Sequence, residues 1–480
     1  VEFIKGFVNK VLMKMVSAEG EVKGLKNENS RGTRPQEKNK SGKIFLSERI
    51  QLKKSLQLYG LCHRAKNLYN QANHVIKTTL DTEGKWVRYV ELYHNVKDSK
   101  NYKELPAQTA QQVMRLLDKN WTGFFRAIKD WRKIPEKYRK KPEPPRYKRK
   151  DGESIVIFTN QQCRIKGRFL HFPGKANLDP IKINKDRISH FQQVRLLPRG
   201  TYYVLEIVHE KEKKINPVDE KRIISIDLGL NNVVCVVNNA GLRPWVVKGG
   251  AIKSINQFYN KMRSKYQSIK DQQGIKFQTK RLRRLTRKRN NKISDLFHKL
   301  SRFIINYCLT NGFGTIVIGY NDRWKENCNM GRKNNQNFLN VPFHQLVQQI
   351  QYKAELDDIQ VIKVDESHTS KCSFLDGEAI EHHDHYMGRR IKRGLFKSKK
   401  GKTINADVNG AYNILRKAFP KGINPDGIEG LGLVPYSVKI TELKQSANLI
   451  SATNEVPKAI KVDGIVVEGY NLVSRKMKPN

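Results

Sequence analysis

Acidic residues are scarce in this chain. Only 45 Asp and Glu stand against 92 Lys and Arg among 480 residues, a formal net charge of +47. Charge of one sign on that scale opposes compaction unless a polyanion neutralises it, so the first expectation is nucleic acid, contacted over many phosphates. The plainer alternative is a basic protein with a solvated surface. Cysteine is sparse too: residues 62, 163, 235, 308, 328 and 372, with no Cys-x-x-Cys pair. That excludes a disulfide framework and fits a reducing compartment. No apolar run approaches the ~18–20 residues of a membrane span. The opening stretch, Val1 to Lys10, is too polar and interrupted for the centre of a signal peptide. The expectation is a soluble, intracellular protein with no membrane partner. A G-x-x-x-x-G-K-[ST] loop is missing as well, which argues against nucleotide hydrolysis.

What is present divides the chain. Residues 1–44 are largely basic, polar and poor in apolar groups, as a disordered tail is. From Leu46 the spacing reads as helical, through Leu52, Leu56, Tyr59, Cys62, Ala65, Leu68, Tyr69, Ala72 and Val75. A second helical stretch follows Pro106 and carries Ala110, Val113, Leu117, Trp121, Phe124, Phe125 and Ile128. Its aromatics fall partly at helical spacing and read as core. The helical module thus covers 45–140 and ends in a basic, proline-broken run at 140–150. Residues 141–218, with part of the segment before 50, read as short β-rich runs suited to a small antiparallel barrel. From 219 to 420 strands near 223–228, 232–238, 315–320 and 359–365 alternate with helices near 253–272, 276–309, 342–356 and 406–417, an α/β layer pattern. Residues 421–480 carry little periodicity. The fold class expected is therefore α+β and multidomain.

The chemistry concentrates in carboxylates. Asp227 ends the apolar run Ile-Ile-Ser-Ile-Asp-Leu-Gly-Leu-Asn-Asn (223–232), and Asp407 opens a helix in Asn-Ala-Asp-Val-Asn-Gly-Ala-Tyr-Asn-Ile (405–414). Asn405 or Thr403 can cap that helix. A lone strand-end Asp is usually a turn or cap residue; the matched strand and helix placement within a basic chain raises the other reading. Carboxylates converging from separate elements bind two Mg²⁺ ions ~3.5–4 Å apart for phosphodiester hydrolysis. A third ligand is missing from the apolar run Thr315–Gly319, which ends in glycine. The following run, Val361-Ile-Lys-Val-Asp-Glu (361–366), ends in two carboxylates. Side chains alternate along a strand, and neighbouring strands lie ~4.8 Å apart, so Glu366 can reach the site while Asp365 points to the opposite face. Glu326, in a polar loop, is a weaker candidate.

These two motifs resemble the first and third RuvC motifs of TnpB-type transposon-encoded nucleases, which are related to compact type V CRISPR effectors and to the eukaryotic Fanzor proteins. His368-Thr369-Ser370-Lys371 and the Pro145-Arg146-Tyr147-Lys148 junction also resemble that family. The likeness spans most of residues 45–420. It implies an RNase H-like (RuvC) nuclease domain at 219–420, a helical recognition lobe at 45–140 and a β-barrel wedge domain that holds guide RNA. It further implies an RNA-guided, Mg²⁺-dependent DNA endonuclease with Asp227, Glu366 and Asp407 as metal ligands. Its partners would be guide RNA and target double-stranded DNA, in a monomeric ribonucleoprotein. Glycine at 319 with Glu366 on the next strand matches the subgroup with a relocated glutamate, to which many Fanzors belong. That favours the nucleus; a bacterial relative would act in the cytoplasm.

The departures from the family open alternatives. Where the family carries two Cys-x-x-Cys pairs, the insert 367–404 offers Ser373 and Asp376, then Lys397 and Lys400, so no zinc is expected. Cys372 with His382, His383 and His385 is a weak substitute site. Gly319 and the missing thiolates also allow a guide-dependent DNA-binding protein whose nuclease has decayed; an RNA-independent RuvC-like resolvase is the third reading. Arg389, Arg390 and Arg393 could guide single-stranded DNA, with Tyr386 or Phe396 available for stacking, or belong to a solvated loop. Arg146, Lys148, Arg281, Arg284 and Arg287 complete the expected nucleic-acid contacts; the last three lie in a one-signed helical run that suits phosphate tracking.

Overall fold

The computed structural model describes residues 42–188, 190–321, 340–443, 460–462 and 465–467. The basic tail up to residue 41, Glu326, Cys328 and most of the chain after 443 lie outside the described residues. Two compact units are present, one built on Lys43–Lys211 and one on Glu212–Asn480.

In the first unit, β1 (Lys43–Lys53) precedes α1 (Leu56–Glu83), α2 (Tyr89–Val96), α3 (Lys100–Lys103) and α4 (Ala107–Lys133). Then come β2 (Val156–Thr159), β3 (Arg164–Lys166), β4 (Phe169–His171), β5 (Ile181–Lys182), β6 (Phe191–Pro198) and β7 (Tyr202–Glu212). The helical spacing expected from Leu46 is corrected here. Residues 43–53 are a strand whose inward positions repeat every second residue, and α1 begins only after Ser55, whose hydroxyl accepts from the Leu58 amide at 3.2 Å. Leu46, Ile50 and Leu52 fit either period, so sequence alone could not separate them. Gly84, at φ +67°, ends α1 in the left-handed conformation. The strands form two separate sheets, β1-β7-β6-β2 and β3-β4-β5, in place of the single small barrel expected. The run at 145–150 lies along α1: Asn73, Asn70 and Lys66 donate in turn to the carbonyls of Pro145, Lys148 and Lys150 at 3.1, 2.9 and 2.8 Å. Helical spacing of three polar residues supplies partners to a segment that has no sheet or helix of its own.

The second unit begins with β8 (Asp219–Leu228), β9 (Asn232–Asn238) and β10 (Trp245–Lys248), followed by α5 (Gly250–Gln272) and α6 (Lys280–Thr310). It continues through β11 (Phe313–Gly319), α7 (Phe343–Leu356) and β12 (Gln360–Val364). The last described part holds β13 (Arg389–Lys392), β14 (Leu395–Lys397), β15 (Thr403–Asn405), α8 (Ala406–Ala418) and β16 (Tyr436–Lys439). Six strands form one sheet in the order β12-β11-β8-β9-β10-β16. The strands β8, β11 and β12 run parallel, β9 runs antiparallel to its neighbours β8 and β10, and β16 pairs parallel with β10. β16 comes from the stretch in which the sequence shows little periodicity.

Strand alternation sorts the residues between the two faces. Ile224, Ile226 and Leu228 pack with Phe297, Ile304 and Leu346 on the side of α6 and α7. Ile223, Cys235, Val237, Val317 and Val364 pack with Val408, Ala411 and Leu415 of α8 on the other side. The sheet is covered on both faces, as parallel strands require.

Candidate functional site

Three carboxylates share the α8 face of this sheet within electrostatic reach of one another. Ile223, Ser225 and Asp227 share that face by alternation, so Asp227 is aimed at α8. An ideal Cβ on Gly410 of α8 would lie 3.2 Å from Asp227 Oδ2, so the glycine is what lets the helix approach. Asp407 sits in the first turn of α8, where the Asn405 side chain accepts from the amides of Asp407 and Val408 at 3.0 and 3.3 Å. Its Oδ2 accepts from Asn232 Nδ2 at 2.5 Å. Glu366 follows β12, where Val364 faces α8; its Cβ lies 3.5 Å from the position of a Cβ on Gly319. Asp365 is exposed and accepts from the Ser367 amide and hydroxyl at 2.9 and 2.7 Å, a local turn. The elements thus place Asp227 and Glu366 at the carboxyl ends of parallel strands and Asp407 at the facing start of α8, on the side where open α/β sheets commonly bind ligands.

The electrostatics are those of crowded acids. Burial pushes Asp227 well above the ordinary carboxylate range, Asp407 and Glu366 push it further, and Arg390 works against them. Burial, with Asp365 nearby, raises Glu366 to about 7. Among the described residues no three His, Cys, Asp or Glu side chains are gathered closely enough to cage a metal. Carboxylates of like charge spread apart unless a cation draws them in. The donor set is nonetheless all oxygen, which suits a hard divalent ion such as Mg²⁺. Asn232 Oδ1, beside Asp407, is buried without a hydrogen-bond partner. The residues fit such an ion. Asn232 is a site residue that the sequence reading did not single out; its only signal was its place five residues after Asp227.

The insert 367–404 is tied to α8 by asparagines. Asn409 donates to the Cys372 carbonyl at 2.9 Å and accepts from the Phe374 amide at 2.9 Å; Asn413 donates to the carbonyls of Thr369 and Cys372 at 2.9 and 2.8 Å. Phe374 stacks on Tyr412 at 4.6 Å between ring centres. Within the insert, Asp376 accepts from Ser373 Oγ at 2.6 Å and from the amides of Lys399 and Lys400 at 2.7 and 3.4 Å. One carboxylate thereby links the two turns. Glu378 adds the amides of Ser373 and Met387 at 2.5 and 2.8 Å. Cys372 is buried, with its Sγ 3.6 Å from the Glu381 carbonyl, while His383 bonds Ala379; the structure does not gather Cys372 and the histidines into a site.

The expected nucleic-acid contacts divide. Arg389, Arg390 and Arg393 are exposed on or beside the β13–β14 hairpin. Phe396 is corrected: it is 1% exposed and part of the core under that hairpin, so it cannot stack on a base. Arg284 is exposed on α6, Arg287 is half-buried, and Arg281 lies over the Tyr266 ring at 4.3 Å. In the first unit Arg146 pairs with Glu143. Lys148 lies over the Tyr69 ring at 4.7 Å, and burial lowers its pKa. Trp121 is core, donating to Asn73 Oδ1 at 3.0 Å.

Comparison with known proteins places this geometry in context. Residues 206–325 match the family OrfB_IS605, described as probable transposase, and residues 343–414 match the Cas12f1-like TNB domain. The chain is 25% identical over 414 residues to the TnpB-like protein ORF457 of Acidianus two-tailed virus, covering 77% of this chain and 84% of that one. It is 28% identical over 254 residues to the CRISPR-associated endodeoxyribonuclease Cas12f1 of Sulfoacidibacillus thermotolerans, covering 50% and 56%. Among solved structures, a Cas12f1–sgRNA–target DNA complex aligns at TM-score 0.42 and 14% identity, over 78% of this chain and 99% of that one. The mini RNA-guided endonuclease Cas_phi3 aligns at TM-score 0.44 and 10% identity, over 81% and 94%. The relatives of this chain are therefore TnpB-like and Cas12f1-like proteins.

Proposed function

We propose that this chain is a transposon-associated, RNA-guided DNA endonuclease in which Asp227, Glu366 and Asp407 hold two Mg²⁺ ions in a RuvC-type site. The observation that carries the reading is the convergence of these carboxylates, from two parallel strand ends and one helix start, on a single face. Bound there, Mg²⁺ supplies a water nucleophile at neutral pH and stabilises charge on the phosphate and leaving oxygen. The chain's own residues set up that chemistry. Asn232 and the Asn405-capped start of α8 fix the Asp407 carboxylate. Gly410 lets α8 come down onto Asp227. Arg390 brings positive charge toward Asp227, where a phosphodiester would lie.

Glu366 takes the place that an acid at 319 would hold in the commoner TnpB pattern, and this supports the subgroup with the relocated glutamate, closest to Fanzor. The net charge of +47 calls for a long polyanion, and a guide RNA along the helical and β-rich modules meets that need. Base pairing then supplies most of the target specificity, while the protein reads duplex shape and a short flanking motif. The expected assembly is a monomeric ribonucleoprotein on double-stranded DNA, nuclear in a eukaryotic host. The insert 367–404 is held by Asp376 and Glu378 and carries no zinc. Expression with native flanking DNA, followed by sequencing of co-purified RNA, tests the reading. A discrete RNA that directs Mg²⁺-dependent cleavage of a matched duplex is the expected result; DNA cleavage that ignores the RNA would overturn it.

A further inference from the structure

Lys253 has no role in the account so far, and Arg393 has only that of an expected nucleic-acid contact. Lys253 lies in the first turns of α5, and its ammonium donates to Asn231 Oδ1. Asn231 is fixed in turn, because its carbonyl accepts from the Gly249 amide at 2.7 Å. The close approach explains the glycine: a Cβ on Gly249 would lie 2.4 Å from the Leu230 carbonyl oxygen. The next residue, Asn232, holds Asp407. On the other side of Asp407, Ala406 donates its amide to the Gly394 carbonyl at 3.1 Å. That bond anchors the turn carrying Arg393 over the start of α8. Three hydrogen bonds, joined by neighbouring residues of the chain, therefore link Lys253 to Asp407 and on to the base of Arg393.

The two cations sense each other: burial lowers the proton affinity of Lys253, and Arg393 lowers it further. Among the described residues neither forms an ion pair with a carboxylate. Arg393 is exposed and Lys253 partly so. Two like charges brought together from separate elements are unfavourable by themselves and become favourable when an anion sits between them. A phosphodiester has the right charge, and both side chains offer several donors to its oxygens. Nearby acids could draw the cations in as well, but Mg²⁺ bound to those acids would leave the pair available to a phosphate.

We propose that Lys253 and Arg393 form a two-sided clamp on a backbone phosphate of the DNA strand entering the Asp227–Glu366–Asp407 cleft. This rests on the nuclease reading above. The clamp acts by positioning the strand, so its loss raises KM more than it lowers kcat.

The test uses the full chain purified with its RNA. Binding of fluorescein-labelled (dT)10 is measured across a salt series for wild type, Lys253→Gln and Arg393→Gln, with Lys253→Arg and Arg393→Lys as charge-keeping controls. Guided cleavage is followed in parallel. Each Gln variant is expected to bind about 5- to 10-fold more weakly and to lower the salt slope by ~0.7, the value of one lost single-strand contact. The charge-keeping variants should recover most of both, which a merely structural role would not give. Wild-type slope and KM in both Gln variants would overturn the clamp, whatever the state of the nuclease. Weaker oligonucleotide binding by both Gln variants, with a wild-type protein that binds the oligonucleotide but cuts no DNA, would sustain the clamp and remove the nuclease reading. A change confined to RNA retention would assign the pair to RNA and overturn the DNA clamp.

Discussion

Gly319 and Glu366 stand side by side at the ends of adjacent parallel strands: a Cβ on Gly319 would lie 3.5 Å from Glu366 Cβ and 2.4 Å from Ile414 Cδ1. Either strand can deliver a carboxylate to this face, but Ile414 of α8 closes the space over 319. Glu366→Ala should reduce guided cleavage by about 10²-fold or more. Adding Gly319→Glu should restore little, and adding Ile414→Val as well, which removes the obstructing methyl, should restore at least about 10-fold over the double variant. Initial cleavage rates of the three proteins decide. Equal activity with and without Ile414→Val would show that packing over 319 is not the barrier.

Packing at the same spot makes a simpler prediction. Gly319→Ala alone should cost ~1–3 kcal/mol, because a well-packed core must shift to accept the methyl. Urea unfolding measures it; an unchanged midpoint would contradict the tight approach.

Lys353 gives a pH signature far from the carboxylates. It is buried on α7, donating to the His298 carbonyl at 2.8 Å and to Ser301 Oγ at 2.6 Å. Burial, then Arg302, lowers its pKa from 10.5 to about 8. Below pH 8 the lysine is charged in both folded and unfolded chains, and the burial penalty is complete. Between about 8 and 10.5 the unfolded chain holds the extra proton, so folding gains stability as pH rises. Lys353→Met should therefore stabilise by ~1 kcal/mol at pH 7, with the gain shrinking toward pH 10. Paired denaturant titrations at both pH values check this, and a pH-independent difference would contradict it.

Asp376 joins two turns of the insert through three hydrogen bonds. Asp376→Ala should orphan those donors and loosen 373–400, at a local cost of ~1–3 kcal/mol. Amide exchange should rise at Lys399 and Lys400, while a chelator should leave wild-type exchange there unchanged. Faster exchange in wild type on chelation would mean that a metal holds the insert.

Asn73 plays the matching part in the first unit, serving the Pro145 carbonyl and the buried Trp121 indole. Asn73→Leu should cost ~2–3 kcal/mol, because the indole N–H is left buried without a partner. Thermal unfolding reads the loss, and a shift too small to measure would mean that water replaces the amide.

The parallel strands were legible in the sequence because their apolar runs are short, continuous and bounded by turn residues. Asp227 stood out as a charge at the end of such a run and Asp407 as one at a helix start, and strand alternation alone put Glu366 and Asp365 on opposite faces. Other features were not legible. The strand β1 carries leucines and isoleucines that satisfy helical and strand periods together. β16 is only four residues long and gains its partner from β10, some 190 residues away in sequence. Phe396 looked available for stacking because its neighbours are basic, yet its own side of β14 is buried. Asn232 and Lys253 act through hydrogen bonds to residues distant in sequence, which no spacing rule marks.

The central claim is that Glu366 completes the carboxylate set with Asp227 and Asp407. The most direct test is a time course of guided cleavage in Mg²⁺ by the wild-type ribonucleoprotein and by Glu366→Gln, with Asp227→Asn and Asp365→Asn alongside and RNA content measured in every sample. The account predicts that Glu366→Gln and Asp227→Asn keep their RNA and lose cleavage, while Asp365→Asn cuts at near the wild-type rate. Wild-type cleavage by Glu366→Gln, with Asp227→Asn inactive, would contradict it and place the third ligand elsewhere.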